Sequence, residues 1–293
     1  MPATTATLTD PDFIRRLDSL YLLARKVLGG TLQAERRSTK RGAGITFADY
    51  SEYYFGADYR AIDWRVYARF ETLMIKLFEL EEDATIYLLV DCSQSVENKF
   101  QFIRQMAAAL GYIALNCLDR VAVYGMADTM TTILETCRGR GKVLSLLRGL
   151  ETTTLHPGES RFNACCRVFQ ARHVRRGLVI VLSDFLFPSG FDDGLSYLQF
   201  HGHDVYCIQV QDEHDTRCDW RGDVDLECVE TGIHQRLTVS EREARLYEAA
   251  VAEWNESLRV SCARRRIGLV STSTEPSFEM VIQDILRRGG LVA

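Results

Sequence analysis

Ile86-Tyr87-Leu88-Leu89-Val90 runs directly into Asp91-Cys92-Ser93-Gln94-Ser95. The first five residues show no polar alternation, the pattern of a strand buried on both faces, and such strands belong to parallel sheets covered by helices. Downstream, Phe100, Ile103, Ala107, Leu110, Ala114 and Cys117 recur at helical spacing. Strand-length runs at Val121–Met126, Leu178–Leu182, Val205–Val210 and Ile267–Val270 then alternate with helical segments near 141–150, 161–172, 191–200 and 276–288, and Thr132–Leu134 reads as a strand turning back beside Val121–Met126. Strands alternating with helices predict an α/β fold, a doubly wound and mostly parallel sheet. In such a sheet ligands sit at the carboxyl ends of strands near a topological switch point, so the chemistry belongs just after Val90, Leu182 and Val210.

Upstream the texture differs. Asp10-Pro11 offers a cap and a first-turn proline, and Phe13, Leu17, Leu20, Tyr21, Ala24 and Leu28 share a helical face that Gly29-Gly30 is expected to end. The expected organisation is an N-terminal helix over 1–30, a small β-rich subdomain over 31–82, and the α/β domain over 83–293. A polar, acidic hairpin excursion is expected near 212–239. Ser240-x-x-Glu243 forms a capping box that opens a long helix with Tyr247, Val251, Trp254 and Leu258 turned inward.

With 293 residues, 46% hydrophobic and 26% charged, the chain has the composition of a globular protein and excludes a disordered chain, a collagen or a coiled-coil rod. Its 35 basic and 40 acidic residues leave a net charge of −5, which argues against bulk binding to nucleic acid or anionic membrane. No apolar run approaches the roughly 18 residues of a spanning helix, so no membrane insertion is expected. The start, Met1-Pro2-Ala3-Thr4, does not read as a signal peptide. Nine cysteines without a C-x-x-C pair read as reduced core residues of a cytoplasmic protein.

The alternation Asp91-x-Ser93-x-Ser95 places one carboxylate and two hydroxyls on the same side of a tight loop. All three are hard oxygen donors of the kind a small divalent cation takes, and Mg²⁺ keeps several waters besides. Asp184, which follows the Leu178–Leu182 strand, reaches the same ion directly or through water if the two strands are neighbours. Asp91 lacks the second aspartate two residues on that a phosphatase-like nucleophile uses. Neither G-x-S-x-G nor G-x-x-x-x-G-K-[ST] occurs, which removes the common serine-hydrolase and P-loop readings. His201-x-His203 has no third ligand nearby and reads as a pair of surface turn histidines. The clusters Arg172, Arg175, Arg176 and Arg264–Arg266 read as basic ends of helices.

An Asp-x-Ser-x-Ser loop after the first strand, with an aspartate after a later one, resembles the metal-ion-dependent adhesion site of von Willebrand factor A domains. That resemblance adds a hydroxyl from a third loop; Gly158-Glu159-Ser160 is similar to the family's Gly-Gly-Thr, and Thr152, Thr153 and Thr154 are alternatives to Ser160. The stretch Phe47-x-x-Tyr50-x-Glu52-Tyr53-x-x-Gly56-x-Asp58-x-Arg60-x-Ile62-Asp63-Trp64, followed by Ala68-Arg69, resembles the signature of a bacterial domain-of-unknown-function family, number fifty-eight. Gly202-His203-Asp204-Val205, Asp225-Leu226-Glu227-x-x-Glu230-Thr231-Gly232 and the closing Arg287-Arg288 extend the likeness over about residues 20–290. Ala57 and Ser51 depart from it, standing where the family has an acidic residue and often an arginine. Within the signature, Tyr53, Tyr54, Ile62 and Trp64 are expected to pack, and Arg60 to pair with Asp63.

The resemblance implies a von Willebrand factor A-like domain with a metal set of Asp91, Ser93, Ser95, Ser160 and Asp184 holding Mg²⁺, or another divalent cation such as Mn²⁺ or Ca²⁺. It also implies association with a MoxR-type AAA+ ATPase and the role of an adaptor for client proteins. A partner protein's Asp or Glu would complete the ion's coordination, giving a metal-dependent and non-enzymatic contact. A metal-dependent hydrolase and a structural interaction protein with a vestigial site are the alternative expectations.

Overall fold

The computed structural model describes residues 7–35, 41–42, 46–54, 58–79, 85–158, 160–228 and 232–287. Gly56, Ala57, Glu159, Glu230, Thr231 and Arg288, quoted above for motifs, lie outside them. The chain divides into two units, one made of the residues up to Ala24 together with 84–293, the other of 25–83.

The first element is α1, Pro11–Glu35. Asp10 caps it by accepting the Asp12 amide at 2.9 Å, and Phe13, Leu17, Leu20 and Ala24 are buried. The helix runs on through Gly29-Gly30 instead of ending there; two glycines weaken a helix by about 1 kcal/mol each relative to alanine but do not forbid it.

In the small unit, β1 (Arg41–Gly42), β2 (Thr46–Glu52) and β3 (Met74–Glu79) form an antiparallel sheet in the order β1-β3-β2, with α2 (Trp64–Phe70) between β2 and β3 in sequence. Asp63 starts α2: its Oδ1 accepts the Arg65 amide at 2.9 Å. Its Oδ2 accepts the Tyr50 hydroxyl at 2.9 Å and faces Lys76 Nζ at 3.0 Å. The ion pair of the signature is therefore Asp63–Lys76, not Asp63–Arg60; the Arg60 guanidinium lies over the Tyr59 ring instead. Ile62 is buried, whereas Tyr54 and Trp64 are exposed, contrary to the packing expected of them.

The large unit is built on β4 (Thr85–Asp91), β5 (Arg120–Met126), β6 (Met130–Arg138), β7 (Leu178–Ser183), β8 (Asp204–Gln211) and, after the hairpin strands β9 (Gly222–Glu227) and β10 (His234–Val239), β11 (Gly268–Ser273). Their order in the sheet is β11-β8-β7-β4-β5-β6, all parallel except β6, which returns antiparallel beside β5. This is the mostly parallel, doubly wound sheet expected. The helices are α3 (Glu97–Asn116), α4 (Val143–Thr152), α5 (Phe162–Ala171), α6 (Asp192–Phe200), the short α7 (Glu213–Thr216), α8 (Glu241–Arg265) and α9 (Phe278–Arg287). Tyr87, Leu89, Tyr124, Val179, Val181, Val205 and Cys207 form one core with Phe162 and Phe169 of α5, Leu195 and Leu198 of α6, and Leu258 and Cys262 of α8. Because strand side chains alternate, Leu88, Val90, Val123, Ile180 and Leu182 point to the opposite face, where α3 packs on β4 and β5 with α4 and α9 beside it. Each fully buried aliphatic side chain contributes on the order of 1.5–3 kcal/mol.

The excursion holds α7 and the antiparallel β9–β10 hairpin. Ser240 and Glu243 make the expected reciprocal cap of α8. Along that helix Leu258 is buried and Val251 and Trp254 half-buried, but Tyr247 is largely exposed, its hydroxyl donating to the Asp215 carbonyl at 3.0 Å. His203 is also corrected. It is buried, its ring edge-on to Tyr87 and its Nε2 3.0 Å from Gln170 Oε1, and burial draws its pKa down; only His201 lies near the surface. Strand β4 has β5 on one side and β7 on the other. The chain path therefore reverses beside β4, and the switch-point crevice opens at the carboxyl ends of β4 and β7.

Candidate functional site

Registers Val90↔Leu182 and Asp91↔Met126 bring the ends of β4, β7 and β5 level at one rim of the sheet. Asp91 closes β4 and is only 1% exposed. Its Oδ1 accepts the Ser93 amide at 3.0 Å and the Ser93 hydroxyl at 2.7 Å. Its Oδ2 accepts the Ser183 hydroxyl at 2.6 Å. Since the Ser93 proton goes to Asp91, the 2.9 Å contact between Ser93 Oγ and Ser95 Oγ has Ser95 donating. The Asp91-x-Ser93-x-Ser95 alternation thus does converge, on a turn that leads into α3.

Three hydroxyl or amide donors stabilise the Asp91 carboxylate, yet no basic side chain among the described residues pairs with it. Burial first, and then the charge of Asp184, push its pKa up to about 6 against the opposing hydrogen bonds from Ser183 and Ser93. The rim therefore holds a buried acid whose ionised form lacks a counter-charge.

Asp184 lies next to Ser183 and is also 1% exposed. Its Oδ1 accepts the Leu186 amide at 3.0 Å and its Oδ2 accepts Lys99 Nζ at 2.9 Å. The ammonium of Lys99, 2% exposed, also donates to both carboxylate oxygens of Asp215, at 2.9 and 2.7 Å. Burial alone would depress the Lys99 pKa, but the Asp184 and Asp215 charges outweigh it and the net direction is up. Phe185, next in line, adopts a left-handed φ of 61°. Its amide donates to Ser183 Oγ at 2.9 Å, and its carbonyl accepts the Trp254 indole N–H at 3.0 Å. Gln209 donates to the Asp184 carbonyl at 3.3 Å and to Asn255 Oδ1 at 2.8 Å, which ties β8 and α8 to the same rim.

The third loop is anchored at both ends: the His156 amide donates to the Cys92 carbonyl at 2.8 Å and the Arg161 amide to the Ala127 carbonyl at 2.9 Å. Gly158 between them takes a φ of 113°, which a residue with a side chain rarely adopts. Ser160 is 2% exposed and its hydroxyl has no hydrogen-bond partner among the described residues. By contrast Thr152 and Thr153 bond back to carbonyls of α4, and Thr154 is exposed. None of the nine cysteines is in a disulfide. Burial pushes Cys92, Cys166 and Cys207 strongly up, and Cys165 up to about 11, so these remain protonated and are poor ligands or nucleophiles.

Among the described residues no three His, Cys, Asp or Glu side chains converge as a metal cluster, so any cation site here depends on hydroxyls. The residues present fit a hard divalent cation in two respects: an uncompensated buried carboxylate with two linked hydroxyls, and an orphaned buried hydroxyl on the third loop. Sequence reading missed Lys99, Asp215, Ser183 and Asn255. The available signal was polarity where burial was expected: Gln209 and Gln211 inside a buried strand, and Lys99 beside an apolar helix face.

Three likenesses accompany this geometry. An uncharacterized protein of Mycobacterium bovis, Mb1516, is 25% identical over 238 residues, 78% of this chain and 75% of that protein. A von Willebrand factor type A structure from Catenulispora acidiphila is similar at a TM-score of 0.40 and 10% identity, covering 72% of this chain and 43% of that one. Mussel byssus proximal thread matrix protein 1, in a structure with a zinc-occupied MIDAS motif, is similar at a TM-score of 0.41 and 14% identity, covering 70% and 45%. No helix among the described residues is long and apolar enough to cross a membrane. A family model described as protein of unknown function DUF58 matches residues 49–257, taking in the Tyr50–Trp64 signature, the Asp91 loop and the β7 rim, and the chain belongs to that DUF58 family.

Proposed function

We propose that this protein is a non-enzymatic protein-binding module whose contact runs through a divalent cation, Mg²⁺ or a similar ion such as Mn²⁺ or Ca²⁺. Asp91, Ser93 and Ser95 would hold the ion, Ser160 would reach it from the third loop, and Asp184 would face it from the β7 rim. The observation that carries this reading is the buried Asp91 carboxylate, which has hydroxyl and amide donors but no basic partner among the described residues. A bound cation would supply the missing charge and present a Lewis-acidic position to an incoming Asp or Glu of a partner protein.

The chain's own contribution is pre-organisation. Ser93 and Ser183 fix the carboxylate, Ser95 holds the Ser93 hydroxyl, and the bonds to the Cys92 and Ala127 carbonyls fix the third loop. A non-enzymatic role is supported by the engagement of both rim aspartates, Asp91 by hydroxyls and Asp184 by Lys99, which leaves neither free as a general base. A MoxR-type AAA+ ATPase is the partner the family resemblance implies, with the protein acting as adaptor to its clients. Nine cysteines without a disulfide favour a reducing compartment, the cytoplasm.

Affinity capture from lysate with Mg²⁺ or with EDTA tests the reading. Wild type is expected to retain an ion-dependent protein that Asp91→Ala loses while remaining folded. Equal capture by wild type under both conditions overturns the proposal.

A further inference from the structure

Lys99 is out of place by every local rule. It lies in the first turn of α3, where the helix dipole disfavours a cation, and a lysine is almost never fully buried unless paired. Its three N–H bonds are all spent, one on Asp184 Oδ2 and two on the Asp215 carboxylate. Asp215 is in turn held by the reciprocal cap with Asp212 that starts α7. Asp184, with one oxygen on Lys99 and the other on the Leu186 amide, is already engaged. Counting Asp91, Asp184 and Asp215 against Lys99, three carboxylates and one ammonium leave two negative charges, which one divalent cation offsets, and the Asp212 carboxylate beside Asp215 only adds to the excess. Without the ammonium the excess would be three, and Asp184 would have an oxygen to give.

Resting on the cation reading above, we propose that Lys99 is a built-in counter-charge that keeps Asp184 from ligating the ion and so sets a moderate affinity. An ion held only by Asp91 and hydroxyls keeps most of its positive charge for a partner's carboxylate, whereas direct ligation by Asp184 would neutralise it. Lys99 is therefore a positioning residue: it acts on the ion through Asp184 and does not touch it.

The test is calorimetric titration of Mn²⁺ into the full chain, with thermal unfolding in EDTA and in Mn²⁺. Lys99→Met is expected to bind Mn²⁺ about tenfold more tightly than wild type, and to melt early in EDTA with recovery on adding Mn²⁺. Adding Asp184→Asn to Lys99→Met is expected to return the affinity to near the wild-type value. Asp215→Asn, which removes one negative charge at a partly exposed position, is expected to weaken Mn²⁺ binding severalfold, and it decides the question if Lys99→Met does not fold. Unchanged or weaker binding by folded Lys99→Met, or tightening that persists in the double variant, overturns the role of Lys99 while leaving the cation site standing. Binding by Lys99→Met alone supports it. No heat from either wild type or folded Lys99→Met overturns both this role and the cation reading.

Discussion

The Ser183 hydroxyl donates a 2.6 Å hydrogen bond to Asp91 Oδ2, joining the ends of two neighbouring strands across 92 positions of sequence. The same oxygen accepts the Phe185 amide. Only a group that is both donor and acceptor can do this, so one hydroxyl links the charge of Asp91 to the left-handed backbone at Phe185.

Ser183→Ala removes both bonds. A loss of roughly 1–3 kcal/mol is expected in urea unfolding, because a buried amide and a buried carboxylate each lose a partner. The Asp91 midpoint, followed by carboxyl ¹³C NMR, is expected to move further up, since the lost bond favoured the ionised form. An unmoved midpoint would show that the bond is not made in solution.

The raised pKa of Asp91 carries a sign for stability. Between its ordinary 3.8 and about 6 the folded, ion-free chain binds more protons than the unfolded chain. The stabilisation from this group is thus fully present below about pH 4 and is lost as pH rises through about 6. Asp91→Asn is expected to melt higher than wild type in EDTA at pH 7.5, with the difference shrinking toward pH 4. Melting scans of both proteins across that range check it.

Ser160→Ala deletes a buried hydroxyl that bonds to none of the described residues. Ion-free stability is expected to stay within about 0.5 kcal/mol of wild type or to rise, while Mn²⁺ affinity falls severalfold. A clear loss of stability without any change in affinity would assign the hydroxyl to packing.

Gly177 precedes β7, and a Cβ there would stand 2.2 Å from the Thr85 carbonyl oxygen. Backbone cannot yield as a flexible side chain does, so Gly177→Ala is expected to cost about 2–3 kcal/mol. A urea midpoint close to wild type would mean that β4 and β7 do not approach this closely.

Much of the architecture is legible from local pattern. Ile86–Val90 and Leu178–Leu182 are apolar on both faces and can only be central strands, and Ser240-x-x-Glu243 announces the start of α8 because the cap is satisfied within four residues. The Asp91, Ser93 and Ser95 grouping is equally local. Lys99 is not: one place before an apolar stripe a lysine reads as solvated, and only carboxylates from 85 and 116 positions away make its burial tolerable. His203 and the Asp63–Lys76 pair were misread for the same reason, their partners being distant in sequence.

Composition and periodicity by themselves determined the alternating strands and helices, the carboxyl-end placement of the acidic loops and the oxygen-rich character of the first loop, because these follow from which residues must leave water. Only the tertiary structure decided that β7 lies beside β4, that Ser183 bonds Asp91, and that an ammonium stands on Asp184. Those are pairings between segments with no local preference for each other, chosen by the sheet order and by the cost of taking polar and charged groups out of water.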